Sequence, residues 1–316
     1  MGKRPGSPVY DPNVNSATAR HRTVRTSDGL ELAVYEQGDP SATTVVLVHG
    51  YPDNHSVWDG VAEILTERYH VVRYDVRGCG DSEVPTTTAG YAMPQLAADL
   101  RSVIDATSPD EPVHLVAHDW GSIQSWAAVT DPAMRDRLRS YTSISGPSLD
   151  MAAVWLRATG KHPRAGLKQL LASYYILAFQ LPRVPELAAK WGVLDKMVDY
   201  SANAGVPADR RRTARRPMKD LVNGLELYRA NIRARLSRPE PQQATVPTQV
   251  IAPTLDAHVT VAMQTQAPAP YCTDLHWRTI DGNHWVVEEK PAEVAAAVVA
   301  FLDYAEGGTL PAELTR

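Results

Sequence analysis

Cysteine is scarce in this chain of 316 residues, which contains only Cys79 and Cys272. Two thiols cannot form the disulfide framework of a small secreted protein, and this pair does not have the spacing of a zinc site. A chain of this length buries enough surface to fold without a disulfide or a structural metal. We therefore expect two plain thiols, no bound metal and a reducing, cytoplasmic location.

Long apolar runs and a large excess of one charge are also missing. Apolar runs such as Val45–Val48 fall far short of the roughly 18 residues that a membrane helix needs. Residues 1–20 lack the apolar stretch of a secretory signal, so we expect a disordered N-terminal lead. The net charge of -4 argues against sequence-independent binding of nucleic acid. We expect neither a membrane span nor a nucleic-acid partner.

Strand and helix patterns alternate through the first half of the chain. Apolar, β-branched runs without alternation indicate strands covered on both faces, as in a parallel sheet. Amphipathic stretches between them indicate helices. The predicted strands are His21–Ser27, Glu31–Gln37, Thr43–Val48, Tyr69–Val76, Pro112–Ala117 and Arg139–Ser145, and the predicted helices are Ser56–Arg68 and Pro94–Thr107. This order predicts the α/β class, with a mostly parallel, doubly wound sheet.

The alternation stops at about residue 148. Residues 148–239 show helical patterns only. The earlier order then returns, with strands at Thr248–Pro253 and Leu275–Ile280 and a closing helix at Pro291–Tyr304. We therefore predict one α/β core, formed by residues 21–147 and 240–316, that is interrupted by a helical cap of residues 148–239.

The end of the strand Pro112–Ala117 carries the most informative motif. Asp119 has a small residue two positions away on either side, Ala117 and Gly121, as a sharp strand-to-helix turn requires. The serine form of this turn is Gly-x-Ser-x-Gly, whose central residue is a nucleophile. An aspartate in its place would attack a saturated carbon and form an alkyl ester. The alternative is that Asp119 only caps the following helix.

Candidates for a base and an acid follow later in the chain. In hydrolases that carry this nucleophile turn, the chain order is nucleophile, acid and then histidine. His284 lies between the last predicted strand and the closing helix, where this architecture has its histidine. Asp256, just after the strand Thr248–Pro253, is the favoured acid that would orient His284. Asp150, which follows an earlier strand, is the alternative.

The loop after the strand Thr43–Val48 is His49-Gly50-Tyr51-Pro52. It stands where this architecture has an oxyanion-hole loop. The backbone N–H groups of Tyr51 and Trp120 are expected to stabilise a developing negative oxygen. We assign His49 and Pro52 to substrate binding.

The loop Asp75–Ser82 follows the next strand and contains a Gly-x-Gly pair at Gly78 and Gly80. A dinucleotide-binding motif needs a third glycine and a helix that starts at the loop. Glu83 stands at the third position, and no helical pattern begins there. We therefore expect a structural turn and no bound cofactor.

Together these residues resemble the α/β-hydrolase-fold epoxide hydrolases that use an aspartate nucleophile. The resemblance extends over about residues 21–305 and is carried by His49–Pro52, Asp75–Ser82, His118–Gly121 and His284-Trp285. It implies the α/β-hydrolase fold with an inserted helical cap. The same strings occur in the related haloalkane dehalogenases, so cap residues have to distinguish the two activities.

The chain departs from the family pattern at two positions. Ala117 replaces the more usual glycine, a change that a small-residue position tolerates. Asn283 replaces the glycine before His284, so we expect the loop that carries His284 to be set differently. The resemblance also extends to hydrolase domains joined to a reductase domain, and we expect no such domain in a chain that ends at Arg316.

In epoxide hydrolases of this family, two cap tyrosines bind the epoxide oxygen and donate a proton as the ring opens. The matching positions are Tyr175, in Tyr175–Pro182, and Tyr228, in Leu227–Asn231. Tyr174 is an alternative to Tyr175. Two apolar stripes at helical spacing support the orientation of Tyr175 and Tyr228. The first stripe, which Tyr175 borders, consists of Leu167, Leu170, Leu171, Tyr174, Ala178 and Leu181. The second consists of Leu221, Leu225, Tyr228 and Ile232.

The resemblance implies hydrolysis of an epoxide to a vicinal diol. Asp119 would form the covalent ester, the two cap tyrosines would protonate the oxygen, and water activated by His284 would hydrolyse the ester. Apolar cap residues such as Trp155 and Phe179 indicate a small lipophilic substrate, and we assign both to substrate binding. The oligomeric state stays open.

Two other functions stay open. A haloalkane dehalogenase needs a second halide-binding donor besides Trp120, and Asn54 is out of register with the asparagine that such enzymes use. A non-catalytic ligand-binding protein would be favoured by a missing member of the triad, and none is missing. The cluster Arg210–Arg212, Arg215 and Arg216 is expected to be a solvated face, with an acidic substrate, partner or lipid as the alternative.

Overall fold

The computed structural model describes residues 19–208, 211 and 216–315. Its strands are β1 (Arg20–Arg25), β2 (Glu31–Gln37), β3 (Thr44–Val48), β4 (His70–Tyr74), β5 (Val113–His118), β6 (Leu138–Ile144), β7 (Thr248–Pro253) and β8 (Leu275–Ile280). They form one sheet in the order β1-β2-β4-β3-β5-β6-β7-β8. β2 runs antiparallel to both of its neighbours, and β3 to β8 are parallel. The predicted α/β class with a mostly parallel sheet is confirmed.

The α-helices within the described ranges are, in chain order, α1 (Asp59–Leu65), α2 (Met93–Thr107), α3 (Trp120–Val129), α4 (Leu149–Arg157), α5 (Pro163–Ala172), α6 (Tyr175–Phe179), α7 (Val184–Lys190), α8 (Val193–Ala202), α9 (Met218–Asn223), α10 (Leu225–Ser237), α11 (Val261–Gln266), α12 (Val286–Glu289) and α13 (Pro291–Ala305). We call the stretch from α4 to α10, between β6 and β7, the cap segment. α11 was not predicted, because six residues are too few to show a helical period.

The centre of the sheet is covered on both faces. Every residue of β3 and of β5 is buried, which explains their unbroken apolar sequences. A Cβ at Gly121 would collide with the backbone carbonyls of Val48 and His49. Glycine at this position therefore lets α3 begin directly beside the end of β3.

The candidate site residues lie at the carboxyl ends of the parallel strands. Asp119 directly follows β5, and His49 directly follows β3. Asp256 and His284 lie a few residues beyond β7 and β8. Because these ends share one edge of the sheet, loops distant in sequence meet there.

The two apolar stripes of the cap segment face different surroundings. The stripe of α9 and α10, which includes Leu225 and Tyr228, is buried. The stripe of α5 and α6 is not, since Leu171 is 66% and Tyr174 is 67% exposed. The stripe of α5 and α6 is therefore not a buried face.

Strand β1 begins at Arg20, so the predicted N-terminal lead does not extend to that residue. Residues 1–18 lie outside the described residues, as do Arg210, Arg212 and Arg215 of the arginine cluster. Within the described ranges, no helix combines the length and the apolar character needed to cross a membrane.

Candidate active site

Asp119 lies on a strained turn between β5 and α3. Its backbone has φ 52° and ψ -125°, a conformation that residues other than glycine rarely adopt. Small neighbours make the turn possible, because a Cβ at Gly146 would collide with the carbonyl of Asp119. The Asp119 side chain makes no capping hydrogen bond to α3, so the helix-cap alternative does not describe its carboxylate.

The carboxylate of Asp119 faces the imidazole of His284. His284 Nε2 lies 3.2 Å from Asp119 Oδ2, and His284 Nδ1 lies 3.0 Å from each carboxylate oxygen of Asp256. The backbone N–H groups of His258 and Val259 donate hydrogen bonds to Asp256 Oδ1 over 2.8 and 2.9 Å. The structure thus brings the three predicted triad residues together.

The charges of these residues depend on one another. Burial opposes a charge on His284, but the carboxylates of Asp256 and Asp119 outweigh burial and raise its pKa to about 10. Burial also opposes the charge of Asp256, yet the His284 cation lowers the pKa of that carboxyl to about 2. In the resting site, His284 is therefore a cation between two carboxylates.

The loop after β3 approaches the same carboxylate. The Tyr51 N–H donates a hydrogen bond to Asp119 Oδ1 over 2.7 Å. The Trp120 N–H lies in the first turn of α3, where amides have no intrahelical acceptor. A Cβ at Gly50 would collide with the Asp119 carboxylate and the Trp120 nitrogen, so this close approach requires glycine.

Tyr175 and Tyr228 lie near each other, with ring centroids 6.3 Å apart. Tyr228 is buried and packs edge-on against Trp120, at 4.7 Å between centroids. Burial raises the pKa of both hydroxyls, and the charge of Asp119 raises it further. Both tyrosines are therefore protonated donors near neutral pH.

These groups line one cavity of about 670 Å³ that lies between the strand ends and the cap segment. Asp119, His284, Tyr175 and Tyr228 are among the residues that line it. Much of the remaining wall is apolar and includes Pro52 and Phe179. A cavity of this size suits a small organic ligand.

Comparison with known proteins gives this architecture a family. The family model described as alpha/beta hydrolase fold matches residues 43–291. The chain belongs to the alpha/beta hydrolase fold family.

Several relatives of this α/β hydrolase carry epoxide hydrolase names. The chain is 35% identical over 296 residues to the probable oxidoreductase EphD of Mycobacterium tuberculosis. This match covers 90% of the chain but only 50% of that relative, so the chain spans about half of the relative's length. It is 28% identical to epoxide hydrolase A of the same species, over 87% of this chain and 95% of that one. The crystal structure of the Bacillus megaterium epoxide hydrolase in complex with an inhibitor has a TM-score of 0.74 at 22% identity, covering 89% and 100% of the two chains. The predicted fold and the resemblance to this family's epoxide hydrolases are confirmed.

Two residues assigned to substrate binding lie outside the cavity of this α/β hydrolase. His49 Nε2 accepts a hydrogen bond from the Val76 N–H over 2.8 Å, and His49 Nδ1 lies 3.0 Å from the Gly50 carbonyl oxygen. Trp155 Nε1 donates to Gln266 Oε1 over 3.2 Å. Both rings are buried against protein groups, and neither residue is among those that line the cavity.

Arg216 contradicts the expectation of a solvated arginine face. Its side chain is 1% exposed, and its Nε donates to Asp53 Oδ1 over 2.7 Å. The guanidinium also lies over the Trp285 ring, 5.1 Å from the centroid, and Trp285 Nε1 donates to Asp53 Oδ2 over 2.7 Å. Arg216 thereby ties the cap segment to the loops after β3 and β8. Arg211, in contrast, is exposed.

Two polar side chains near Asp256 were missed by the motif analysis. His258 lines the cavity with its ring centroid 4.9 Å from that of His284, and burial together with the His284 cation lowers its pKa to about 4. Gln169 Oε1 accepts hydrogen bonds from the N–H and the hydroxyl of Thr260, over 2.8 and 2.9 Å, and Gln169 Nε2 donates to the His258 carbonyl over 2.9 Å. The only sequence signal was that His258 stands two residues after Asp256.

Asn283 fixes the position of the loop that carries His284 through side-chain hydrogen bonds that a glycine cannot make. Asn283 Nδ2 donates to the carbonyl oxygens of Ala202 and Ala204, over 2.7 and 3.1 Å, at the end of α8. Asn283 Oδ1 accepts from the Trp285 N–H over 2.7 Å. This departure from the family pattern therefore adds a link to the cap segment.

The alternative residues Asp150 and Asn54 have other partners. Asp150 accepts hydrogen bonds from Arg235 and from the backbone of Glu240. Asn54 donates to Asp220 over 3.2 Å, and neither Asp150 nor Asn54 lines the cavity.

Within residues 19–208, 211 and 216–315, no three His, Cys, Asp or Glu side chains are arranged to hold a metal ion.

Proposed function

We propose that this α/β hydrolase is an epoxide hydrolase that converts a lipophilic epoxide and water into a vicinal diol. One observation carries the proposal: Asp119 lines a largely apolar cavity together with Tyr175, Tyr228 and His284, whose imidazole is held by Asp256 behind it. The names of several relatives point in the same direction.

In the first step, Asp119 Oδ2 forms a bond to an epoxide carbon from the side opposite the C–O bond that breaks. Oδ1 accepts the Tyr51 N–H and Oδ2 lies 3.2 Å from His284 Nε2, so Oδ2 attacks while these two contacts orient the carboxylate. The released oxygen takes a proton from Tyr175 or Tyr228. General-acid catalysis of this kind is typically worth ~100-fold to ~10,000-fold.

In the second step, His284 activates the water that hydrolyses the ester. Esterification removes the negative charge of Asp119, which had helped to hold the pKa of His284 high, so the imidazole passes its proton to the tyrosinate and becomes a base. Water then gives a proton to His284 and attacks the ester carbonyl, and we infer that the N–H groups of Tyr51 and Trp120 stabilise the negative oxygen that forms. The acid formed on Asp119 protonates the departing oxygen, which releases the diol and restores the resting charges.

A haloalkane dehalogenase is supported less well. Its halide needs two convergent N–H donors, of which Trp120 supplies one. The indole of Trp285 lines the cavity but already donates to Asp53, and Asn54 donates to Asp220. Two hydroxyl donors suit an oxygen that needs a proton better than a halide that leaves without one.

The decisive experiment is single-turnover mass spectrometry with styrene oxide. His284→Gln removes the base but leaves Asp119, so we expect the variant to gain the mass of one substrate on the peptide that contains Asp119. Asp119→Asn is the control and should gain no mass. The unaltered chain should release the diol.

Two results would overturn the proposal. Halide release from a haloalkane, without a diol from several epoxides, would make the chain a dehalogenase. Absence of both products and of any adduct would favour a non-catalytic ligand-binding protein.

A further inference from the structure

The cap segment exposes an unusual amount of apolar surface. Twelve of the sixteen exposed large apolar side chains in the described part of the chain lie between Leu167 and Tyr200. Leu177 is 75% and Trp191 is 73% exposed. Scattered exposed apolar residues are common, but a concentration of this kind marks a surface that contacts something else. We call residues 161–200 the cap surface.

Helix α5 shows that this exposure is built into the sequence. Leu167, Leu170, Leu171 and Tyr174 recur at the spacing of one helical face, and all four are exposed. The buried side is polar instead, since Gln169 there bonds to the loop that holds Asp256. A helix of a globular protein normally turns its apolar face inward. Here the apolar face points outward.

The exposed charges of the cap surface all have one sign. Lys161, Arg164, Lys168, Arg183, Lys190 and Lys196 are exposed. The three acidic residues of the range, Glu186, Asp195 and Asp199, are buried or half-buried. Glu186 pairs with Arg229 and Asp199 with Arg216. The cap surface is thus apolar and cationic.

The cavity reaches the same surface. Leu171, Tyr174, Met197 and Tyr200 belong both to the exposed apolar set and to the cavity wall. A ligand that leaves the cavity on this side therefore meets apolar side chains rather than water alone.

We propose that the cap surface docks on an anionic lipid bilayer, with its apolar side chains in the interface and its lysines and arginines at the headgroups. Apolar groups beside cations are the pattern of proteins that lie on such membranes. A second copy of the chain fits less well, because a two-fold interface would bring the same cationic patch against itself. Docking would let an apolar substrate pass from lipid into the cavity, and this last clause alone rests on the proposed function.

The test is sedimentation of the full chain with vesicles in the absence of substrate. We expect binding to vesicles of phosphatidylcholine with phosphatidylglycerol and much weaker binding to phosphatidylcholine alone. Leu177→Glu with Trp191→Glu should abolish binding, and neither residue lines the cavity. Ile64→Glu with Val84→Glu is the matched control, since it also charges two exposed apolar residues, and it should bind normally.

Charge reversal provides a second arm. Lys168→Glu with Lys190→Glu should weaken binding by about fivefold or more for each residue, because each basic group near an anionic surface contributes about that factor. Both variants should unfold at the same temperature as the unaltered chain, which excludes misfolding as the cause.

Three outcomes would overturn the proposal. The first is that the unaltered chain binds neither kind of vesicle. The second is that Leu177→Glu with Trp191→Glu binds as strongly as the unaltered chain. The third is a dimer that this variant dissociates, which would assign the cap surface to a second copy. None of these measurements uses an epoxide, so failure of docking and failure of the proposed activity are separate results.

Discussion

Asp53 and Arg216 form a buried ion pair, 2.7 Å between Asp53 Oδ1 and Arg216 Nε, that joins the loop after β3 to the cap segment. The same carboxylate accepts the indole N–H of Trp285, the residue after His284. One buried carboxylate therefore links the loop after β3, the cap segment and the loop that carries His284.

Arg216→Met should destabilise the protein strongly. The change removes the ion-pair partner of the buried Asp53 carboxylate, and the loss of one member of a buried ion pair typically lowers the free energy of unfolding by about 3–5 kcal/mol. Arg68→Met breaks the exposed pair with Asp303 and should change it by about 0–1 kcal/mol. Urea unfolding of both variants measures the difference. Equal effects would show that Arg216 does not hold the cap segment in place.

Replacement of the cap tyrosines should slow the opening of the epoxide. We expect Tyr175→Phe with Tyr228→Phe to reduce the rate of adduct formation by ~100-fold to ~10,000-fold, because both proton donors to the oxygen are lost. Tyr174→Phe is the matched comparison, since Tyr174 is 67% exposed. Stopped-flow measurement of the alkylation step reports the rates. A loss in Tyr174→Phe as large as that in the double variant would contradict the assignment of Tyr175 in preference to Tyr174.

The stability that His284 contributes should depend on pH in the alkaline range. Its pKa rises from 6.5 to about 10 on folding, so its contribution is complete below pH 6.5 and disappears as the pH approaches 10. The difference in unfolding free energy between the unaltered chain and His284→Gln should therefore shrink over this window.

His114→Gln is the control for that titration. Burial lowers the pKa of His114 to about 4, so it is neutral in both the folded and the unfolded state well above pH 6.5. Its effect on the unfolding free energy should be constant between about pH 7.5 and 10. A His284→Gln difference that is equally constant would contradict a charged His284 between two carboxylates.

Two buried glutamines should respond in opposite ways to replacement by leucine. Gln169→Leu leaves the Thr260 N–H and the His258 carbonyl without their partner, at about 1–3 kcal/mol for each group. Gln124 is equally buried, and its amide has no hydrogen-bond partner among the described residues. Gln124→Leu should therefore be neutral or stabilising. Thermal unfolding of the two variants checks the contrast.

Local patterns explain what could be predicted from the sequence. The β-branched runs identified the parallel strands because burial on both faces imposes a composition that is visible within five or six residues. Asp119 was recognised because its turn demands small residues at fixed offsets, and Gly121 satisfies a steric limit set by β3.

Long-range partners explain what could not be predicted. Arg216 looked like part of a solvated cluster because Asp53, its partner, is distant in sequence. The stripe of α5 has the spacing of a buried face, and periodicity alone does not tell which side of a helix meets the core. His49 belonged to the right loop, but only the fold shows that its ring turns toward Val76.

The links of the cap segment to the strand-end loops also bear on how molecules enter. Arg216 holds the loop after β3, Gln169 holds the loop after β7 and Asn283 holds the loop after β8 to the end of α8. Lifting the cap segment would break all three attachments and disturb Asp256 and His284 at the same time. We therefore expect ligands to enter through a portal of nearly constant outline, so that molecular width, rather than the speed of an opening motion, selects what reaches Asp119.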